Sequence, residues 1–289
     1  MPAGGKPTVR SRRFGRKMQQ HRVGAGFDQA QAAAFIYGSR SKISRMEDGI
    51  TTAKPAEVLL LLDRYGVGDE TEREHLVWLA KNSGHHGWWL EHAAHLRPDY
   101  LDHIALEDDA TYIREWQPVL FPGLLQTPAY AEAVITMGPN FVAPERVVHL
   151  VKAREGRQAK IGEGGATYTA ILWESVITQP LVNVEIHREQ LSAILEAGKR
   201  QNVTVQVLPL TAGVLAGSTS AFSSFSFDSE PSVEAVTLDN LRGTSVLESA
   251  EDLAAYANAF DLLRSAALAP DATARLIRRV LRTTKEDTS

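Results

Sequence analysis

Glycines and capping residues divide the first eighty residues into pieces that only short helices can fill. Ser11 to Ala25 carries Phe14, Met18, His21 and Ala25 at helical spacing, with Arg12, Arg13, Arg16 and Lys17 outside, and Gly26 ends the stretch. Asp28, with Gln31 three residues on, is a capping-box pattern that opens a second helix built from Ala30, Ala32, Ala33 and Ala34. Tyr37-Gly38 makes a turn, Ser39 is an N-cap, and Arg40 to Glu47 forms a third helix closed by Asp48-Gly49. Pro55 to Tyr65, stopped by Gly66, and Glu70 to Asn82 complete a set of five.

The third helix is the informative one. Ile43 and Met46, three residues apart, anchor one face, which leaves Arg40, Ser41, Lys42, Ser44 and Arg45 pointing outward. Arginine can fork onto guanine, serine can reach base edges or phosphates, and lysine neutralises phosphate, so this face suits a major groove. The rival reading is a five-helix domain that only mediates protein contacts; the absence of any acidic residue before Glu47 on that helix argues for DNA.

Charge is distributed accordingly. Residues 1–55 carry 11 Lys and Arg against 3 Asp and Glu, whereas residues 84–289 carry 17 against 26, a basic head on an acidic body. Such an asymmetry fits one end that meets a polyanion. The 289 residues suffice for about two domains. No apolar run reaches the ~18 residues of a membrane span, the start of the chain lacks a secretory pattern, and a cytoplasmic location is expected. The chain has no cysteine, which rules out disulfides, thiol catalysis and thiolate metal sites.

Phe14-Gly15, Met18, Arg22, Ala25-Gly26-Phe27, Asp28-Gln29 and the string Ser39-Arg40-Ser41-Lys42-Ile43-Ser44-Arg45-Met46-Glu47-Asp48-Gly49 resemble the lambda-repressor-like, Xre-type helix-turn-helix. The resemblance implies that Gln29 braces a phosphate and that the third helix, led by Arg40 and Ser41, enters the groove. His21, where the family usually has leucine, and Ala32 and Phe35, which shuffle the apolar pattern of the second helix, depart from it. Further on, Pro122-Gly123-Leu124-Leu125-Gln126-Thr127-Pro128 with Tyr130-Ala131 resembles the signature of a C-terminal domain found on many Xre-type bacterial regulators, several of them tied to development, secondary metabolism or antitoxin-like systems. Arg154, Arg157-Gln158, Glu174, Arg188 to Leu191, Asn202 to Pro209 and Gly213 extend that resemblance, which departs from the family at Ser175 to Thr178.

The body reads as α/β (α+β) with a small mixed sheet. Thr167–Trp173, Val203–Leu208, Val233–Leu238 and Thr244–Leu247 are strand patterns, with a hairpin around Asn240 to Gly243 and β-prone surroundings for Phe222, Phe225 and Phe227. Val184–Arg200, Ala250–Leu268 and Ala272–Leu281 are helical, and Thr127-Pro128 opens a further helix. Leu106-Glu107-Asp108-Asp109-Ala110 is expected to lead a helix, its acids favouring the first turn. The domain boundaries follow: a disordered tail over 1–9, the helix-turn-helix domain over 10–83, a linker over 84–105 packing aromatics, a regulatory domain over 106–282 and a tail over 283–289.

Chemistry is not expected in the body. It has no Gly-x-Ser-x-Gly elbow, phosphate-binding glycine loop or His-Glu-x-x-His. The acidic trio is more simply a helix terminus than a catalytic site. Histidines 85, 86, 92, 95 and 103 raise a metal site, since His92 and His95 are three apart, but packing or solvation explains them without one, and no cofactor is expected. The expected protein is therefore a non-enzymatic, homodimeric regulator on a near-palindromic operator, with Arg12, Arg16 and Lys17 adding phosphate contacts. Its C-terminal domain would receive a small partner protein encoded nearby or, second, a small-molecule effector in a pocket of Trp173, Glu174 and the residues after Pro209. The alternative is an antitoxin-like interaction protein whose main role is to bind a partner.

Overall fold

A computed structural model describes residues 8–83, 87–138, 142–227 and 232–286. Most of the two expected tails, together with His85 and His86, lies outside the described residues. The chain forms two compact units, one reaching to Gly87 and one beginning at Trp88. No described helix is long and apolar enough to cross a membrane.

The first unit is five helices: α1 (Val9–Gly24), α2 (Gln29–Phe35), α3 (Arg40–Glu47), α4 (Pro55–Tyr65) and α5 (Glu70–Asn82). Their starts are fixed locally. Thr8, Asp28, Ser39 and Asp69 each accept a hydrogen bond from a backbone N–H of the first turn, and Asp28 and Gln31 close the capping box. The helices meet around Phe14, Met18, Ile43, Met46, Val58, Leu61, Leu62, Leu76 and Leu79, all fully buried. The α1–α3 crossing is so close that a Cβ on Gly15 would lie 2.3 Å from the Glu47 carbonyl oxygen. Only glycine fits there.

The second unit is built on one six-stranded mixed sheet in the order β3-β2-β1-β4-β5-β6, with β1 (Tyr112–Gln117), β2 (Thr167–Trp173), β3 (Val203–Leu208), β4 (Phe222–Ser226), β5 (Ala235–Asn240) and β6 (Gly243–Leu247). The first three run parallel; β4, β5 and β6 are antiparallel to their neighbours. The helices are α6 (Pro98–Asp109), α7 (Pro128–Met137), α8 (Pro144–Gln158), α9 (Glu174–Thr178), α10 (Val184–Ala197), α11 (Val214–Gly217), α12 (Ala250–Ala266) and α13 (Pro270–Glu286). Register assigns the faces. Phe222, Trp116, Ile171, Leu208 and Val236 share one, covered by Phe260 and Leu263 of α12. Glu115, Tyr168, Phe225 and Thr237 lie on the other, where His103 of α6 stacks edge-on to Phe225. Phe222 and Phe225 serve opposite faces of a strand buried on both, which is why their spacing does not alternate.

Three expectations change. Leu106 to Asp109 ends helix α6 rather than leading one, and the sequence after it is β1, the strand between β2 and β4. Acid at a helix C-terminus is unfavourable to the dipole, and Glu107 is there because Arg157 needs it. Residues 88–105, read as linker, are folded into the second unit: a 3-10 turn at Trp88–His92 and the start of α6 enclose Trp89, Leu96 and Ile104 with Ala153 of α8. Residues 283–286 extend α13, and Thr8 and Val9 cap and begin α1, rather than lying in tails.

Candidate nucleic-acid interface

The exposed side of the first unit is organised by α3. Ile43 and Met46 are buried, while Ser39, Arg40, Ser41 and Arg45 are exposed. Among the described residues Arg40 and Arg45 have no carboxylate within ion-pair distance. The two guanidiniums thus remain available. Ser39 caps α3 and its hydroxyl lies 3.0 Å from that of Ser41, so the helix entry is ordered and polar.

Not every expected contact residue is free to reach outward. Lys42 is half-buried and its ammonium lies 2.6 Å from Glu57 of α4. Burial would raise the Glu57 carboxyl, but the Lys42 hydrogen bond and the Lys54 backbone N–H hold it below the ordinary carboxylate range. Ser44 is half-buried and donates to Asp48 at 3.4 Å. Lys17 of α1 pairs with Glu72 of α5 at 3.0 Å, and His21 lies 3.1 Å from the same carboxylate. Arg12 and Arg16 are half-buried, whereas Arg13, expected outside, is buried. It belongs to an α1 face that the arginine-rich sequence disguised.

Gln29 and Arg40 come together. With Arg22, Asp28 and Ala30 they line a hollow of 380 Å³ between the starts of α2 and α3. The Gln29 amide donates to Glu47 at 2.9 Å, and Glu47 is itself gripped by Arg22 at 2.6 and 3.0 Å. Arg22 also donates to the Phe27 carbonyl at 2.7 Å, and its hydrogen bond with Glu47 raises its already high pKa. One buried ion pair therefore ties the end of α1, the α1–α2 turn, the start of α2 and the end of α3 together. Sequence reasoning missed this network; an Arg and a Glu inside otherwise apolar helix faces were its only signal.

Between α2 and α3 the chain turns through Tyr37, whose φ of 52° is the only left-handed value at a non-glycine among the described residues, and whose side chain is fully exposed.

In the second unit, Trp173 at the end of β2 and Glu174 at the start of α9 are both half-buried. Trp173 packs with the apolar cluster around α12, its indole N–H buried without a hydrogen-bond partner, and Glu174 accepts from the Leu210 N–H at 2.8 Å. The acidic trio is also engaged: Glu107 takes two hydrogen bonds from Arg157, at 2.8 and 2.7 Å, with His103 beside it. Burial alone would raise the Glu107 carboxyl, but the charge and hydrogen bonds of Arg157, aided by His103, hold it at about 2. Arg157 further donates to the Tyr100 hydroxyl at 2.6 Å. His92 and His149 face each other at 3.3 Å and His95 stacks on His149, yet among the described residues no three acidic or histidine side chains are placed to hold a metal.

Short capped helices, a close-packed α3 and its exposed Arg–Ser face define a helix-turn-helix protein, the class that includes DNA-binding regulators. The comparison with family models agrees: residues 13–76 match a helix-turn-helix domain. Residues 100–279 match a domain of unknown function, DUF5753, and because that match spans more than half of the chain, the chain belongs to this family. No curated protein and no solved structure matches it.

Proposed function

We propose that the protein is a sequence-specific transcriptional regulator of the Xre type, in which α3 enters the major groove of double-stranded DNA. The observation that carries the reading is the α3 surface: Arg40, Ser41 and Arg45 are exposed together on a helix whose other side is sunk in the core. Arg40 and Arg45 supply base readout, Ser39, Ser41 and Ser44 hydroxyl contacts, and Gln29 braces a phosphate beside Arg40. Lys42, Arg12, Arg16 and Lys17 act on phosphates, Lys42 and Lys17 only after exchanging their present carboxylate partners. A homodimer would set two copies of α3 in successive major grooves on a near-palindromic operator. Selection from a randomised duplex pool tests this reading: it predicts two half-sites about 10 base pairs apart, and a pool that stays random contradicts it.

The second unit is, on this reading, a receiver rather than an enzyme. Its Glu107 is committed to Arg157, which leaves that carboxylate no proton to move near neutral pH. A small partner protein is the favoured signal. The exposed Leu210 and Val214, in the segment that follows β3, support it, since apolar side chains there lack cover. A small-molecule effector or an antitoxin-like role remains the second form of the same proposal. Footprinting with and without the neighbouring small protein separates these forms: protein-controlled release predicts loss of protection on its addition.

A further inference from the structure

We propose that α13 carries a second, sequence-independent DNA contact: a stripe of four arginines that grips duplex phosphates. The inference rests on the DNA-binding reading above and extends it to the second unit.

The helix has two unlike faces. Thr273 and Ile277 are buried, and Thr273 accepts from the Val207 N–H at 3.0 Å while Arg188 donates to the Leu281 carbonyl at 2.7 Å. This side is committed to β3 and α10. Opposite it, Arg275, Arg278, Arg279 and Arg282 are all exposed. Their spacing of three, four and seven places them on one stripe about 10 Å long.

Nothing among the described residues accounts for that charge. Among the described residues no carboxylate lies within ion-pair distance of any of the four, and Asp271, one turn before Arg275, is not paired with it. Like charges three and four residues apart weaken a helix. The dipole favours cations only in the last turn, beyond Arg282. Nor does the stripe follow the surroundings: residues 84–289 hold 17 Lys and Arg against 26 Asp and Glu, and four of those 17 lie within these eight positions. A concentrated cationic strip on an acidic body fits a polyanion. The choice of arginine fits phosphate, whose oxygens its planar fork can take in pairs. An anionic membrane is a poorer occupant because the apolar face of α13 is already packed into the fold and cannot enter lipid.

The test uses the full chain with Arg275, Arg278, Arg279 and Arg282 all changed to Gln, binding a scrambled duplex across a salt series. Each phosphate contact contributes about 0.9 to the slope of log K against log salt. The variant should therefore lose about 3.6 from that slope, and bind the scrambled duplex at least tenfold more weakly at low salt, while keeping wild-type preference for the selected operator. Arg40→Ala should do the reverse, losing preference for the operator while leaving the slope on the scrambled duplex nearly unchanged. A quadruple variant with native melting and an unchanged slope overturns the proposal, as does charge-dependent binding seen only with anionic vesicles or polyglutamate. If the quadruple variant unfolds, Arg278→Gln with Arg282→Gln is read the same way, with a slope loss of about 2. Should Arg40→Ala leave preference intact while the quadruple variant flattens the slope, the recognition-helix reading falls and this one stands.

Discussion

Arg22 near the end of α1 holds Glu47 at the end of α3 through two hydrogen bonds, of 2.6 and 3.0 Å, in a site almost closed to solvent. The link fixes α3 to the first helix at the end opposite its N-cap, and Gln29 joins it from α2. Removing one partner strands a buried charge. Glu47→Ala should lower stability by about 3–5 kcal/mol, whereas Arg22→Met with Glu47→Leu together should recover most of the loss. Urea midpoints of the single and double variants check this; a double variant as unstable as the single one contradicts it.

Gly15 tests the same crossing from the other side. Alanine normally favours a helix by about 1 kcal/mol over glycine. Here its Cβ would fall 2.3 Å from the Glu47 carbonyl, so overpacking should win and Gly15→Ala should destabilise by about 1–3 kcal/mol. Gly24, with no atom within 4 Å of a built Cβ, is the control and should gain stability. Opposite signs in one denaturation series are the expected result.

Tyr37 offers a gain. Its left-handed backbone is costly for a tyrosine, its ring is 99% exposed, and asparagine visits that region readily. Tyr37→Asn should stabilise the protein by about 1 kcal/mol, seen as a raised urea midpoint with unchanged slope. A loss of stability would show that the ring contributes contacts.

In the second unit, Glu107 makes acid sensitivity specific. Its folded pKa of about 2 lies below the ordinary value of 4.5, so its stabilisation is fully present above about pH 4.5 and drains away as pH falls toward 2. Buried Glu115 works in the opposite sense. Burial, against the hydrogen bonds of Tyr168 and Gln117, raises its carboxyl, so the fold favours its protonated form. Glu107→Gln should cost about 3–5 kcal/mol at neutral pH by leaving Arg157 unpaired. It should also remove a stabilising slope between pH 4.5 and 2. Unfolding curves across that range would show the slope persisting if the pairing were unimportant.

Legibility in the sequence followed locality. Asp28, Ser39 and Gly66 announce helix ends within a few residues, and Ile43 and Met46 give α3 its buried side, so the five helices and the candidate DNA face could be read directly. The fold class of the body was readable from its strand and helix patterns. What escaped depends on partners distant in sequence. Arg13 and Arg22 look like surface cations, Lys42 looks free until α4 brings Glu57 to it, and β1 reads as neither strand nor helix because Arg114 and Glu115 interrupt its apolar run. Glu107 misled in the same way, since only folding brings Arg157, fifty residues away, to meet it. The arginines of α13 stand at helical spacing in the sequence, but their exposure, and their lack of carboxylate partners among the described residues, could not be read from it.

The central claim is that Arg40 reads bases from α3. The direct measurement is the equilibrium affinity of the full chain and of Arg40→Ala for the selected operator and for a scrambled duplex at one fixed salt concentration. Arg40→Ala should lose about 1–3 kcal/mol on the operator with nearly unchanged affinity for the scrambled duplex. Equal affinity of the two proteins for the operator would contradict it.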